Sequence, residues 1–299
     1  MDLSIIIVNY NTSDMVIDCV NSIRDVSRKS SYEIIVVDNN SEEKQKEKLR
    51  GFPGILFIEL ASNLGFGRAN NEGAKKAKGD MLFFLNPDTV LICDAPSILY
   101  DYMIKHDKVG ICGGNLFDKE MRPAHSFHVM FPSILSELDF AFNQRYRRMR
   151  YGKNIQFNYT STPIEVAMIT GADLMIRRNV WYEIGGFASE YFMYCEDAEL
   201  CFQATRLGYR VVNVPESKII HLEGASFLEN EVHCKRVLDG RFVYFRKNYS
   251  CIYNIIADSF NVISLTCAVL IYKIMRNRNK EYNYKLRLKT YIKCLREKK

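Results

Sequence analysis

Residues 81–88 read Met-Leu-Phe-Phe-Leu-Asn-Pro-Asp, an apolar run that ends in a polar turn. An apolar run bounded by turn residues predicts a fully buried strand of a parallel sheet. Ligands of such sheets bind beyond the carboxyl ends of the strands, so Asn86 and Asp88 are predicted to lie where a ligand would be held. The proline between them fixes one backbone angle and stiffens the turn.

Short apolar runs alternate with helical patterns on both sides of this stretch. We predict strands at 5–8, 33–37, 55–60, 81–85 and 109–112, and helices at 13–26, 65–78 and 94–106. This alternation predicts an α/β fold in which helices cover a mostly parallel sheet. Residues 121–165 are rich in aromatic residues and arginine and predict a long irregular insertion, after which order returns from 165 to about 224.

The composition is that of an ordinary globular protein. The chain has 299 residues, 47% of them hydrophobic and 25% charged, which suits one large domain or two smaller ones. Nine cysteines occur without any CxxC pair, which argues against a zinc finger and suits a reducing cytosol. The opening residues read as a strand rather than a signal peptide, so we expect a cytoplasmic protein.

Positive charge is concentrated at the C-terminal end of the sequence. Residues 273–299 contain eleven Lys or Arg and two Glu, while the whole chain has a formal charge of +6, so the preceding part is mildly acidic. A nucleic-acid-binding body is therefore not supported. The apolar stretch at 251–275 has three readings: a core or dimer helix, an interfacial helix whose basic neighbour binds anionic lipid, or a membrane span.

Polar residues also follow the second and third predicted strands, namely Asp38 with Asn39, and Asn63. A carboxylate such as Asp88 at this edge suits a hard divalent cation that bridges to phosphates, although Asn-Pro-Asp is also a common turn. The run 63–67, Asn-Leu-Gly-Phe-Gly, is similar to a phosphate-binding turn, but it lacks the GxGxxG pattern and the P-loop lysine.

Two further segments carry groups that could perform chemistry. Glu196 and Asp197 lie among aromatic residues, which can raise a carboxyl pKa toward a value useful for base catalysis; acids in the first turn of a helix are the alternative. His221 follows an apolar pair and is either a structural histidine or, beside an acidic metal site, a ligand.

The order of these segments resembles that of family 2 glycosyltransferases, inverting enzymes of the GT-A fold that use nucleotide-sugars. The resemblance covers residues 1–225 and rests on the segments 4–11, 34–39, 63–71, 85–88, 171–178, 185–187 and 196–197. The LNPD and GFG sequences resemble the branch of bacterial rhamnosyltransferases that build cell-surface polysaccharides. In the metal motif, Asn86 stands where the first Asp of DxD is usual.

The resemblance implies a role for each matching residue. Donor binding is implied for Asn9, Asn11, Asp38, Asn63, Gly65, Phe66, Asn71, Asn86 and Asp88. Acceptor binding is implied for Gly171, Ala172, Asp173, Trp181 and Glu196. Asp197 is implied as the catalytic base beside Glu196, and Asp88, with His221 as a second ligand, is expected to hold Mg²⁺ or Mn²⁺.

The expected organisation is a GT-A domain at 1–225 followed by a basic helical extension at 226–299. Within the domain, 1–120 would form the nucleotide-sugar half and 121–225 the acceptor half. The expected reaction moves a sugar, with rhamnose as a candidate, from a dTDP- or UDP-sugar to a saccharide or polyprenyl-linked acceptor. We expect the reaction to take place at the inner face of the cell membrane, where the protein contacts anionic lipid. A homodimer is the candidate oligomer.

Two other functions compete with this one. A nucleotidyltransferase would carry a Gly-rich basic loop near the N-terminus, and residues 9–13 contain none. The other alternative is a non-catalytic nucleotide-sugar-binding or scaffold protein of the same fold. The retained Glu196 and Asp197 argue against it.

Overall fold

The computed structural model describes residues 1–27, 29–222 and 231–297. The strands are β1 (Leu3–Asn9), β2 (Tyr32–Asp38), β3 (Leu56–Glu59), β4 (Met81–Leu85), β5 (Thr89–Leu91), β6 (Val109–Phe117), β7 (Phe127–His128), β8 (Ile164–Glu165), β9 (Met168–Ile169), β10 (Asp173–Arg177) and β11 (Arg210–His221). The helices are α1 (Ser13–Val26), α2 (Glu43–Arg50), α3 (Phe66–Ala74), α4 (Ala95–Lys105), α5 (Ile134–Ala141), α6 (Arg145–Tyr151), α7 (Arg178–Ile184), α8 (Glu196–Arg206), α9 (Glu231–Asn248), α10 (Cys251–Ile274) and α11 (Arg278–Glu297).

Within these ranges a nine-stranded sheet has the order β3-β2-β1-β4-β10-β6-β11-β5, with β8 paired to β11. Strands β1 to β4 pair in parallel, and β6 and β11 are parallel to each other. Strand β10 is antiparallel to both of its neighbours, β4 and β6. The carboxyl ends of β1, β2 and β4 therefore meet the amino end of β10 at one edge of the sheet, as the register Asp173 to Leu85 shows.

Both faces of the sheet are buried, which explains the continuous apolar runs in the sequence. Ile5 and Phe83 face one hydrophobic cluster, which α1 and α4 cover. Ile6 and Phe84 face a second cluster, which α3, α7, α8 and α9 cover. The predicted α/β architecture of a mostly parallel sheet flanked by helices is confirmed.

Several boundaries differ from the predictions. Strand β6 continues to Phe117 because the second half of β11 pairs with its residues 115–117. Helix α3 ends at Ala74 rather than at residue 78. Helix α2 was not predicted, since only Leu49 of its eight residues is buried and it has no apolar stripe.

The insertion at 121–165 is more ordered than predicted. It contains α5 and α6, and Ser133 begins α5 with a capping box that includes Ser136. The turn between the helices uses Asn143 and Gln144, both with positive φ. The sequence pattern did not predict these helices because they are only eight and seven residues long, too short to show a helical period.

The C-terminal helices pack on the domain and on one another. Tyr244 and Phe245 of α9 belong to the cluster that also contains residues of α8. Helices α10 and α11 run antiparallel: the Tyr272 and Tyr284 rings stack at 5.2 Å, and Tyr291 Oη donates to Asp258 Oδ1 at 2.6 Å.

Helix α10 is the one helix of the described ranges that is long and apolar enough to cross a membrane by length and composition, and very little of it is buried. The predicted boundary between 225 and 226 lies outside the described residues.

Candidate active site

A large cleft lies at the edge where the carboxyl ends of β1, β2 and β4 meet, with a volume of about 1910 Å³. Ten of the residues implied by the sequence line it: Asn63, Gly65, Phe66, Asn86, Asp88, Gly171, Ala172, Glu196, Asp197 and His221. They come from five separate segments of the chain. The fold therefore assembles in one cavity most of the polar groups that the sequence singled out.

Asp88 and His221 meet because β5 pairs antiparallel with the end of β11, which places His221 opposite Thr89. His221 Nε2 lies 3.3 Å from Asp88 Oδ1 and 3.4 Å from the side-chain amide of Asn86. The backbone N–H of Leu222 donates to the Asp88 carbonyl at 2.9 Å, which fixes the two segments together. A carboxylate, an imidazole and an amide thus converge at one point of the cleft.

These three side chains fit a divalent cation only in part. Within the described part of the chain, no group of three or more His, Cys, Asp or Glu side chains could hold a metal. Oxygen ligands with one imidazole suit Mg²⁺ or Mn²⁺, which commonly keep water and substrate phosphates as further ligands. Asp88 and His221 would supply two protein ligands of such an open site.

The acid pair begins α8. Tyr194 and Cys195 directly before it have φ values of 71° and 66°, a left-handed conformation that is uncommon for residues other than glycine. Asp197 Oδ1 accepts from the Ala198 N–H at 2.8 Å, and Oδ2 accepts from the Gly171 N–H at 3.1 Å. Backbone strain of this kind clusters at functional sites, and here it orients the first turn of α8 toward the cleft.

The two carboxyl groups differ in their surroundings. Burial, and then the charge of Asp197, raises the pKa of Glu196 to about 8. Burial also raises the pKa of Asp197, but its two backbone hydrogen bonds act in the opposite direction because they favour the ionised form. These shifts favour a single negative charge on the pair near neutral pH, with Asp197 as the better-stabilised carboxylate.

The turn before α3 closes one side of the cleft. Asn39 Nδ2 donates to Asn63 Oδ1 at 3.0 Å, and Asn39 Oδ1 accepts from the Leu64 N–H at 2.8 Å. Gly65 has a φ of 84°, and a Cβ there would lie 2.0 Å from the carbonyl oxygen of Phe192. Only glycine fits, and the turn thereby packs against the loop that precedes the acid pair.

Three residues implied to bind the donor form hydrogen bonds with neighbouring loops of the protein. Asn9 and Asp38 are fully buried, and Asn9 Nδ2 donates to Asp38 Oδ1 at 2.7 Å. The second carboxylate oxygen of Asp38 accepts from the Ser41 N–H at 2.9 Å. Asn11 accepts from the Glu42 N–H at 2.8 Å and does not line the cleft. In this arrangement their polar groups bond to other protein groups, and the donor contacts implied for them stay predictions.

Asn71, Asp173 and Trp181 also lie away from the cleft lining. Asn71 holds the backbone of Phe187 with both side-chain atoms, at 2.8 and 3.0 Å. Trp181 is 5% exposed and packs against the Phe84 ring at 4.8 Å, so it is a core residue. Asp173 is fully buried, accepts from the Gly114 N–H at 2.6 Å, and has a pKa raised well above its ordinary value by burial. Their burial gives Asp173 and Trp181 no surface in the cleft, and the acceptor roles implied for them stay untested predictions.

Other residues line the cleft without having been singled out by the sequence. Tyr10 directly follows β1 and is 51% exposed, so the strand-end argument could have found it. Arg236 of α9 lies over the Phe192 ring at 5.6 Å, and no local pattern marks it. His128 lines the cleft from the insertion, and burial holds its pKa well below the ordinary value.

Comparison with known proteins identifies the family. The family model described as glycosyl transferase family 2 matches residues 4–184, which is more than half of the chain. The chain belongs to glycosyl transferase family 2. This family 2 chain is thus a glycosyltransferase, and the nucleotidyltransferase and scaffold alternatives are set aside. The matched region ends before Glu196. The roles expected for Glu196, Asp197 and His221 are therefore supported only by the geometry described above.

Two curated relatives of this glycosyltransferase are rhamnosyltransferases. Rhamnosyltransferase WbbL of Escherichia coli K12 is 26% identical over 73% of this chain and 82% of its own length. The N-acetylglucosaminyl-diphospho-decaprenol L-rhamnosyltransferase of Mycobacterium tuberculosis is 22% identical over 63% of this chain and 66% of its own length.

Among solved structures, the mannosyltransferase PcManGT of Pyrobaculum calidifontis, in complex with GDP-Man and Mn²⁺, has a TM-score of 0.63. At 14% identity the match covers 99% of this glycosyltransferase and 88% of that chain. The fold is therefore GT-A with C-terminal helices.

Proposed function

We propose that this glycosyltransferase moves a sugar, with rhamnose the first candidate, from a dTDP- or UDP-sugar to a saccharide or polyprenyl-linked acceptor, with inversion at the anomeric carbon. The observation that carries the proposal is the position of Asp197. It lies in the same cleft as Asp88 and His221, and two backbone N–H groups orient its carboxylate. The names of the two rhamnosyltransferase relatives support the choice of donor and acceptor.

In the proposed reaction, Asp197 takes the proton of an acceptor hydroxyl as the oxygen attacks the anomeric carbon. The bond from that carbon to the nucleotide diphosphate breaks, and the diphosphate leaves from the opposite face. One displacement inverts the centre, so no covalent enzyme nucleophile is required. Glu196, whose raised pKa keeps it mainly protonated at neutral pH, can donate a hydrogen bond to the acceptor.

Asp88 and His221 would hold Mg²⁺ or Mn²⁺, with Asn86 beside them. When bound, the cation supplies positive charge that offsets the charge developing on the leaving diphosphate. The open coordination of this pair fits a metal that arrives with the nucleotide-sugar. The Mn²⁺ in the PcManGT complex supports a divalent cation without deciding which one this chain uses.

For the location we propose the inner face of the cell membrane, with α10 lying in the interface rather than crossing the bilayer. The two contacts between α10 and α11 place Lys285, Arg287 and Lys289 alongside the apolar helix. If α10 spanned the bilayer, these charges would enter hydrocarbon at a cost of about 2.5–3.5 kcal/mol each. An interfacial helix keeps them at the level of anionic headgroups, where they are favourable.

A panel of nucleotide-sugars tests the proposed donor. Full-length protein with Mn²⁺ is heated with dTDP-rhamnose, other dTDP- and UDP-sugars, and GDP-mannose, and unfolding is followed by fluorescence. We expect dTDP- or UDP-sugars to stabilise the protein by about 2.7 kcal/mol at a hundredfold excess over the dissociation constant. Stabilisation by GDP-mannose alone, or by no sugar of the panel, would contradict the donor assignment.

A further inference from the structure

The outer surface of α5 and α6 exposes several large apolar side chains. Phe140 is 58% exposed, Phe142 65%, Tyr146 42% and Met149 88%. Soluble proteins seldom expose contiguous apolar patches of this kind, and such a patch marks an interaction surface. The patch formed by α5, α6 and the turn between them is called the aromatic lip below.

The same segment carries positive charge that the protein does not neutralise. Arg145, Arg148 and Arg150 are exposed, and in the ranges that the structure describes they form no ion pair with a carboxylate. Arg147 differs, because it is buried and its Nε lies 2.9 Å from Asp139 Oδ2, which fixes α6 to α5. Arg150 also donates to Tyr146 Oη at 3.1 Å and lies over the Tyr151 ring, contacts that leave its charge unneutralised. The aromatic lip therefore presents aromatic rings and three exposed arginines whose charge no carboxylate offsets in the described ranges.

The aromatic lip forms one side of the mouth of the catalytic cleft. Phe140 and Phe142 line that cleft although each is more than half exposed. Ile263 and Ile271 of α10 also line it, and they are 61% and 52% exposed. Residues that face both the cavity and the solvent mark the opening, so the cleft opens between two apolar edges.

A half-buried ionic contact joins the two edges. Arg241 of α9 donates to Glu137 of α5 at 2.6 Å and to Asp258 of α10 at 2.8 Å. The guanidinium also lies 4.2 Å from the Phe245 ring centre. Because one side chain joins both helices, the aromatic lip and α10 are held as a single surface around the opening.

We propose that the aromatic lip is a second membrane-contact surface, which together with α10 seats the mouth of the cleft on an anionic bilayer. The acceptor then enters the cleft directly from the membrane. Its sugar reaches Asp197 while its apolar part remains between the aromatic lip and α10. This inference rests on the proposed lipid-linked acceptor. It adds that the α5–α6 insertion, and not the C-terminal helices alone, binds the membrane.

The chemistry of the surface favours a bilayer over a protein partner. Aromatic side chains concentrate at the level of lipid headgroups, and arginines beside them attract anionic lipid. On the other edge, α10 is followed by α11, whose Lys280 also lines the opening. Both edges thus combine exposed apolar side chains with positive charge around one cavity, which is complementary to an anionic interface.

Vesicle binding by the full chain tests the proposal. Partitioning onto phosphatidylcholine vesicles, with and without phosphatidylglycerol, is measured by sedimentation at low and high salt. Two variants change the aromatic lip: Phe142→Ser with Met149→Ser, and Arg145→Gln with Arg148→Gln and Arg150→Gln. Matched controls on other surfaces are Leu56→Ser with Ile104→Ser, and Lys44→Gln with Lys76→Gln and Lys105→Gln.

We expect the triple arginine variant to lose roughly a hundredfold in partitioning onto anionic vesicles at low salt, and the apolar variant to lose about tenfold or more. The controls should bind as the unchanged protein does. Equal binding by variants and controls, or equal binding to neutral and anionic vesicles, would overturn the proposal. So would a variant that changes only the oligomeric state in solution, since the patch would then join two copies of the chain.

Nucleotide-sugar binding of the same proteins separates this proposal from the function on which it rests. If dTDP- or UDP-sugars still stabilise the protein while the lip variants bind vesicles normally, the membrane surface alone is refuted. If no such sugar stabilises the unchanged protein, the proposed function fails whatever the vesicles show.

Discussion

The carboxylate of Asp197 accepts a hydrogen bond of 3.1 Å from the backbone N–H of Gly171. This bond joins the first turn of α8 to the segment that leads into β10, the antiparallel strand of the sheet. A Cβ on residue 171 would lie 3.2 Å from Phe66 Cε1 and 3.9 Å from Asp197 Cβ, so glycine leaves the room that the contact needs. The proposed base is thus held by rigid elements, which is what precise proton transfer requires.

Replacement of Asp88 tests the metal site. In Asp88→Ala we expect the affinity for UDP or dTDP in the presence of Mn²⁺ to fall by roughly tenfold or more, because one of two protein ligands is lost. Calorimetry with and without Mn²⁺ measures the difference. Asp101→Ala, on the exposed face of α4, is the control. If Asp88→Ala keeps the metal dependence of the unchanged protein, Asp88 is only a turn residue.

Glu196 should make the stability depend on pH. Its carboxyl has an ordinary pKa of 4.5 and a pKa of about 8 in the folded protein. Between these values the unfolded chain releases a proton that the folded protein retains, so the free energy of unfolding falls as pH rises. Glu196→Gln cannot ionise, and we expect it to unfold at a higher temperature than the unchanged protein at pH 8 but not at pH 4.

Melting temperatures measured across this pH range give the test of Glu196. A difference between the two proteins that stays constant from pH 4 to pH 8, or that grows toward low pH, would show that Glu196 is ionised in the fold. In that case Asp197 would not be the sole holder of the charge that the pair shares.

Replacement of Trp181 tests whether this residue serves the core or binds the acceptor. Because its ring is buried against Phe84 and Phe187, we expect Trp181→Ala to lower the free energy of unfolding by about 3–5 kcal/mol. Tyr182→Ala on the same helix, at a side chain 64% exposed, should change it by less than about 0.5 kcal/mol. Urea unfolding of both variants measures these changes in the free energy of unfolding. A small loss in Trp181→Ala, accompanied by a raised KM for the acceptor, would instead support the acceptor-binding role.

The sheet was largely predictable because its strands are buried on both faces. The apolar runs around Ile6 and Phe84 can be read directly, and the residues after them must meet at one edge. What local patterns do not contain is pairing between distant segments. His221 reaches Asp88 only because β11 pairs with the unpredicted β5, and β10 could be seen as a strand but not as antiparallel.

The individual roles of polar residues were harder to predict than their place in the fold. Asp38 and Asp173 have the same sequence character as Asp88, an acid beside an apolar run, yet they are fully buried and bonded to backbone groups. The exposure that separates a ligand from a support depends on tertiary packing. Arg236 was missed for the opposite reason, since it reaches the cleft from α9, a helix outside the recognised motifs.

The most direct test of the account is the transfer activity of Asp197→Asn. The variant keeps the shape of the side chain but cannot accept the acceptor proton, so we expect the turnover rate to fall by about 10²–10⁴-fold while the affinity for the nucleotide diphosphate stays the same. Glu190→Gln, an exposed acid in the preceding loop, should retain full activity. Turnover by Asp197→Asn close to that of the unchanged protein would contradict the assignment of Asp197 as the base.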